Sequence, residues 1–132
     1  VLGEADVVSL HQRLTPETRE WLDAKRISTM KKGAILVNTA RGALVNAEAL
    51  VAAVESEHLR GAAMDVFEIE PLPADHPYCD TEGIVLSPHI GGATEEAMLR
   101  TAVETARQVI DVLAGRRPEH LVNPEVWEGR RQ

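Results

Sequence analysis

At 132 residues, 44% apolar and 27% charged, with a net charge of −7, the chain is long enough to bury a core and reads as a folded globular protein. The acidic balance, with no basic run and no patch of interleaved aromatics, excludes a nucleic-acid surface. No apolar run approaches the ~20 residues of a membrane helix, no basic-then-apolar start marks a signal peptide, and the single cysteine, Cys79, precludes an internal disulfide, so a cytoplasmic protein is expected.

The chain opens Val1-Leu2-Gly3-Glu4-Ala5-Asp6-Val7-Val8, without Met and straight onto a strand, as expected of a piece of something longer. Residues 6–10 predict that strand, closing at His11. Thr15 as a cap, Pro16 at a first helical position and Glu17 at the positive end of the dipole predict a short helix to about Leu22. Asp23 predicts a second cap, for a helix that turns Ile27 and Met30 inward and stops at Lys31-Lys32-Gly33. Then comes Ala34-Ile35-Leu36-Val37-Asn38-Thr39-Ala40-Arg41-Gly42. A short apolar run closed by small polar residues predicts a buried strand ending in a loop. Ligands of open α/β sheets bind just beyond the carboxyl ends of the strands. Arg41 therefore stands at the lip of a site, with a guanidinium suited to a two-pronged grip on a carboxylate. A solvated loop arginine is the bland alternative.

Asn46 caps a helix predicted over 47–57, with Leu50, Val51 and Val54 at helical spacing. Residues 61–67 predict a third strand, ending in the acidic run Glu68-Ile69-Glu70-Pro71. Pro71, Pro73 and Pro77 predict an irregular loop carrying His76 and Tyr78. Residues 83–89 predict a fourth short strand ending at His89. Gly91-Gly92-Ala93-Thr94 then turns into the longest helix, predicted over 95–114, with Leu99, Val103, Val109, Ile110 and Leu113 among its apolar stripe. Gly115 and Pro118 stop it. Strands joined by helices imply an α/β fold with a parallel sheet.

Three strand ends thus carry Arg41, the Asp65/Glu70 cluster and His89. In a parallel sheet those ends share one edge, so the groups can converge. A cation for an anionic substrate, an imidazole to move a proton, and a carboxylate that orients it and stabilises imidazolium form a coherent set. Taken singly, each has a structural or solvated reading.

Leu36-Val37-Asn38-Thr39-Ala40-Arg41-Gly42, Gly61-Ala62-Ala63-Met64-Asp65-Val66-Phe67-Glu68-Ile69-Glu70-Pro71 and Ser87-Pro88-His89-Ile90-Gly91-Gly92 resemble the signature blocks of the NAD-dependent D-2-hydroxyacid dehydrogenases. The block around His11 and Leu14-Thr15-Pro16-Glu17-Thr18 is similar to the one preceding them. The resemblance implies a hydride transfer between a nicotinamide cofactor and a small 2-hydroxy or 2-keto acid. Arg41 then binds the substrate carboxylate, His89 is the acid/base and Glu70 its partner. Asp65 hydrogen-bonds the nicotinamide carboxamide, Thr39 and Ala40 border the ring, Gly91 and Gly92 let the chain pass close, and His11 lies near the ribose-phosphate, unless it is a structural strand-end histidine. No metal is implied.

The implied fold is the second half of a doubly wound, Rossmann-like sheet over residues 1–92. Residues 93–132 are then a return helix and tail belonging to the substrate domain. The Gly-rich phosphate fingerprint and the residue that selects NAD over NADP do not occur in this chain, so NAD is expected with NADP open, and the isolated chain is expected to be inactive. Glu70 departs from the formate branch, which carries Gln there, and Val122-Asn123-Pro124-Glu125-Val126 resembles the phosphoglycerate/glycerate-type tail. Half a sheet leaves an edge uncovered, so a homo-oligomer, a dimer, is expected. Two rivals remain: a nicotinamide-binding corepressor or sensor on the same fold, and an inactive structural fragment.

Overall fold

β2 (Ala34–Asn38) and β3 (Leu59–Met64) form the middle of a four-stranded sheet, with β1 (Val7–Leu10) and β4 (Ile84–Leu86) at its edges. The computed structural model describes residues 1–129. All three strand pairings are parallel, in the order β1-β2-β3-β4, as expected for the second half of a doubly wound sheet. Val8, Leu36, Ala62 and Ile84 stand in register across it.

Strand side chains alternate between faces, and the two faces here differ. The face of Leu10, Leu36, Ala62 and Met64 is buried against α1 (Ala24–Ser28), α2 (Ala47–Glu55) and α3 (Pro77–Asp80), which contribute Ile27, Leu50, Val54 and Tyr78 to one core. On the opposite face Val7 is 55% and Val85 69% exposed. The caps act as expected: Asp23 accepts from Arg26 N at 2.8 Å and Asn46 from Ala49 N at 2.9 Å.

The helix expected from Pro16 to Leu22 does not form; residues 16–20 are turns. Leu22 is claimed by an extended pairing instead. It bridges Val45, its N–H donates to the Leu44 carbonyl at 2.9 Å, and it is wholly buried. The helix after Asp23 ends at Ser28, short of Lys31, where the Thr29 hydroxyl folds back onto the Arg26 carbonyl at 2.7 Å. The proline loop contains the unforeseen α3, whose Pro77 supplies the first turn and whose Tyr78 enters the core.

The chain divides into two compact units, Val1–Gly91 and the remainder from Gly92. The second is built on α4 (Glu95–Leu113), capped by Thr94, which accepts from Ala97 N at 3.1 Å. No side chain of α4 is buried, and the stripe residues Leu99 and Leu113 are 67% and 82% exposed. Among the described residues no helix is long and apolar enough to cross a membrane.

Candidate active site at the carboxyl ends of the strands

β2, β3 and β4 end side by side, and each delivers a polar group. At the end of β2 its last residue, the buried Asn38, turns the chain: its Oδ1 accepts from Ala40 N at 3.1 Å and its Nδ2 donates to the Arg41 carbonyl at 2.9 Å. A short amide side chain that mimics a backbone turn in this way fixes the path of the next few residues. Gly42 is required because the turn is pressed onto the loop after β3; a Cβ there would fall 2.0 Å from the Phe67 carbonyl carbon. Arg41 is exposed, donates through Nη1 to the Ala40 carbonyl at 2.6 Å, and belongs to no ion pair among the described residues.

The loop after β3 carries Glu70. Its Oε1 accepts from Phe67 N at 2.9 Å, and its Oε2 lies 2.8 Å from His89 Nδ1. An ionised carboxylate only accepts, so Nδ1 carries a proton and Nε2 is the nitrogen left to exchange one with a ligand. The bond from His89, then that from the Phe67 amide, hold the Glu70 carboxyl below the usual carboxylate range, and the charge of Arg41 adds to the effect. A cleft of about 360 Å³ brings Arg41, Glu70 and His89 together, with Arg19 and Glu68 on the same wall. A second cleft, about 580 Å³, shares Glu70 and His89 and is walled by Phe67, Pro71, Leu72 and Leu86.

Asp65, buried at the end of β3, fastens the loop that holds His89. Oδ1 accepts from the Ser87 hydroxyl at 2.6 Å and Ile90 N at 2.9 Å, and Oδ2 from Gly91 N at 2.8 Å. The donors come from both sides of His89, whose backbone is left-handed at φ 55°. That conformation costs a non-glycine residue about 1–2 kcal/mol. Hydrogen bonds to a charged group, at about 1.5–3 kcal/mol each, outweigh it. The Ser87 hydroxyl foremost, against the cost of burial, lowers the Asp65 pKa, with the Gly91 and Ile90 amides helping. Gly91 admits this approach, since a Cβ would lie 2.9 Å from Oδ2.

The structure therefore gathers Arg41, Asp65, Glu70, His89 and Gly91 of the sequence-predicted set. Ala40 is part of the Arg41 turn, and Thr39 beside it is exposed. His11 stands beyond β1, at the outer edge of the sheet, with Nε2 2.8 Å from the Ser9 hydroxyl. Gly92 opens the second unit. Sequence reasoning gave no role to Asn38 or Ser87. The available signal was a polar residue directly after an apolar strand, where a buried side chain must find a partner.

Residues 1–91 match the family described as D-isomer specific 2-hydroxyacid dehydrogenase, NAD binding domain. The chain belongs to that family.

A glyoxylate reductase of Thermofilum pendens is 48% identical over 130 residues, 98% of this chain and 38% of that protein. The D-3-phosphoglycerate dehydrogenase of Escherichia coli is 44% identical over 114 residues, 83% of this chain and 28% of that protein. The crystal structure of the TT0316 protein from Thermus thermophilus superposes with a TM-score of 0.87 at 50% identity, covering 92% of this chain and 39% of that one. The chain thus spans about two fifths or less of the length of these relatives.

The residues present fit one end of the NAD that the family binds. Asp65 uses three of roughly four acceptor sites of a carboxylate, which leaves capacity for an amide donor. The pyrophosphate end needs a Gly-rich turn at a helix N-terminus, and no Gly-x-Gly-x-x-Gly occurs in the 132 residues.

Proposed function

We propose that this chain carries the catalytic edge of an enzyme that interconverts a 2-keto acid and a D-2-hydroxy acid with NAD. The observation that supports this most is the 2.8 Å contact of Glu70 Oε2 with His89 Nδ1, on the same cleft as Arg41, which forms no ion pair among the described residues. The bound cofactor supplies or accepts the hydride at C2. Arg41 swings from the Ala40 carbonyl to hold the substrate carboxylate. His89 Nε2 gives its proton to the carbonyl oxygen during reduction and takes it back from the hydroxyl during oxidation. Glu70 keeps Nδ1–H fixed, so the imidazole has one orientation and one tautomer available for that exchange. Asp65, Thr39 and Ala40 border the nicotinamide, Gly91 and Gly92 allow its close approach, and His11 lies toward the ribose-phosphate.

In this reading residues 93–132 are the return helix and tail of the substrate domain, and the enzyme is a cytoplasmic homodimer. A corepressor or sensor would need no proton donor, so the Glu70–His89 pair speaks against that reading. The test is a chimera in which this chain replaces the matching 130 residues of the Thermofilum pendens glyoxylate reductase. NADH-dependent reduction of glyoxylate is expected. Arg41→Lys should raise KM and lower turnover, because one ammonium cannot reproduce a bidentate grip. A folded chimera that binds NADH without reducing glyoxylate would favour the sensor reading.

A further inference from the structure

Arg19 is a cation that the roles above leave unused. Its Nη1 lies 2.5 Å from Glu68 Oε1, which joins the segment after β1 to the loop after β3, and both residues line the cleft of Arg41 and His89. The backbone beneath Arg19 is already fixed. Thr15 N donates to the Thr18 hydroxyl at 2.7 Å, that hydroxyl donates to the Arg13 carbonyl at 2.8 Å, and Arg19 N donates to the Thr15 carbonyl at 3.0 Å. The same segment then grips the residues just past Arg41: Glu20 N donates to the Ala43 carbonyl at 2.7 Å, and Asn46 Nδ2 to Glu20 Oε1 at 2.9 Å. Glu68 lies next to Phe67, whose N–H holds Glu70 Oε1.

We propose that Arg19 is a positioning residue: by its ion pair with Glu68 it fixes the loop that presents Glu70 to His89, while its own segment fixes the turn that presents Arg41. The carboxylate-binding arginine and the proton-transfer pair are then held at one spacing by a single strap. Exposed ion pairs are weak mainly because two long side chains must be ordered. Here the Arg19 backbone is ordered beforehand, and the partner loop is backed by Gly42. An effect of about fivefold on the Glu70–His89 contact is the size such a pair can deliver. The inference rests on the reading of Glu70 as the partner of His89.

Nitrogen-15 spectra of the histidine side chains in the 132-residue chain test it. Measured at mildly alkaline pH, they report which nitrogen of His89 carries the proton. The wild type is expected to favour Nδ1–H. Arg19→Met should lower the ratio of Nδ1–H to Nε2–H by about fivefold, Arg19→Lys should keep most of it, and the charge-reversed pair Arg19→Glu/Glu68→Arg should restore it. A merely structural arginine would shift the thermal midpoint and leave the tautomer alone. If Arg19→Met does not fold, Glu68→Leu, which offers no acceptor, removes the pair from the other side and is read the same way. An unchanged ratio on loss of the pair, or no recovery on charge reversal, overturns the inference. Glu70→Leu, which offers no acceptor to Nδ1–H, separates the two levels. If it leaves the ratio unchanged, the Glu70–His89 reading fails; if it abolishes the preference and loss of the ion pair does not, only the strap fails.

Discussion

Asp65→Asn should release the His89 loop while leaving the sheet intact. Asn is isosteric, but one of the two atoms facing the loop becomes a donor. In the better orientation its oxygen serves Ser87 and Ile90, and its NH₂ faces the Gly91 N–H that now bonds Oδ2 at 2.8 Å. One charge-assisted bond is lost, about 1.5–3 kcal/mol. The other two fall to the neutral class, roughly half as strong. Together this is ~3–6 kcal/mol; the ~1–2 kcal/mol that the left-handed backbone of His89 regains on release is the same in both chains and drops out of the difference. Amide hydrogen exchange is the assay. Protection of Ile90 and Gly91 should drop at least about a hundredfold, since ~1.4 kcal/mol is a factor of ten, while Leu36 in β2 keeps its protection. Ser87→Ala should show the same pattern at smaller amplitude, and Ser87→Thr little change. Because the Asp65 pKa is lowered in the fold, its contribution is complete above the ordinary aspartate value of ~3.9 and is lost as pH falls through the lowered one. Unchanged protection of Ile90 and Gly91 in Asp65→Asn would refute the loop-fastening role.

Gly42→Ala places a Cβ 2.0 Å from the Phe67 carbonyl carbon, so the Arg41 turn and the Glu70 loop must separate. A lower urea midpoint, by at least the ~1–3 kcal/mol of an overpacked site, is expected; an unchanged midpoint would show that the turn relaxes freely. The open face with Val7 and Val85, and the exposed stripe of α4, predict self-association of the isolated chain at micromolar concentration. Sedimentation as a compact, cooperatively folding monomer would contradict that. Without a phosphate-binding turn the isolated chain should bind NADH very weakly, and a low-micromolar dissociation constant by fluorescence titration would overturn this expectation.

The parallel sheet was legible because each strand is a short apolar run with a helical stretch or a cap before the next. Asp23, Asn46 and Thr94 were readable as caps because capping is local chemistry. Arg41, Glu70 and His89 were legible as a set because a parallel sheet brings strand ends to one edge whatever their separation in sequence. The segment after β1 was misread for a physical reason. Thr15, Pro16 and Glu17 satisfy every local rule for a helix start, yet Leu22 gains more from extended pairing with Val45, a contact across the fold that no local window contains. Ser87 and Arg19 escaped notice likewise: their partners, Asp65 and Glu68, are distant in sequence and meet them only once β1, β3 and β4 are aligned. Tyr78 belongs to the core because Pro77 starts a helix inside what composition marks as an irregular loop.

The most direct test of His89 as the proton-exchanging group is glyoxylate reduction by the chimera carrying His89→Ala, measured with and without added imidazole. Loss of an acid/base group costs about 10²–10⁴ in rate. Turnover should fall by that factor with little change in KM, and imidazole in solution should restore part of it, because Glu70 and Arg41 still shape a cavity where His89 stood. Retention of turnover within about tenfold of the parent would contradict the assignment and leave His89 as a loop residue held by Asp65 and Glu70 for structure alone.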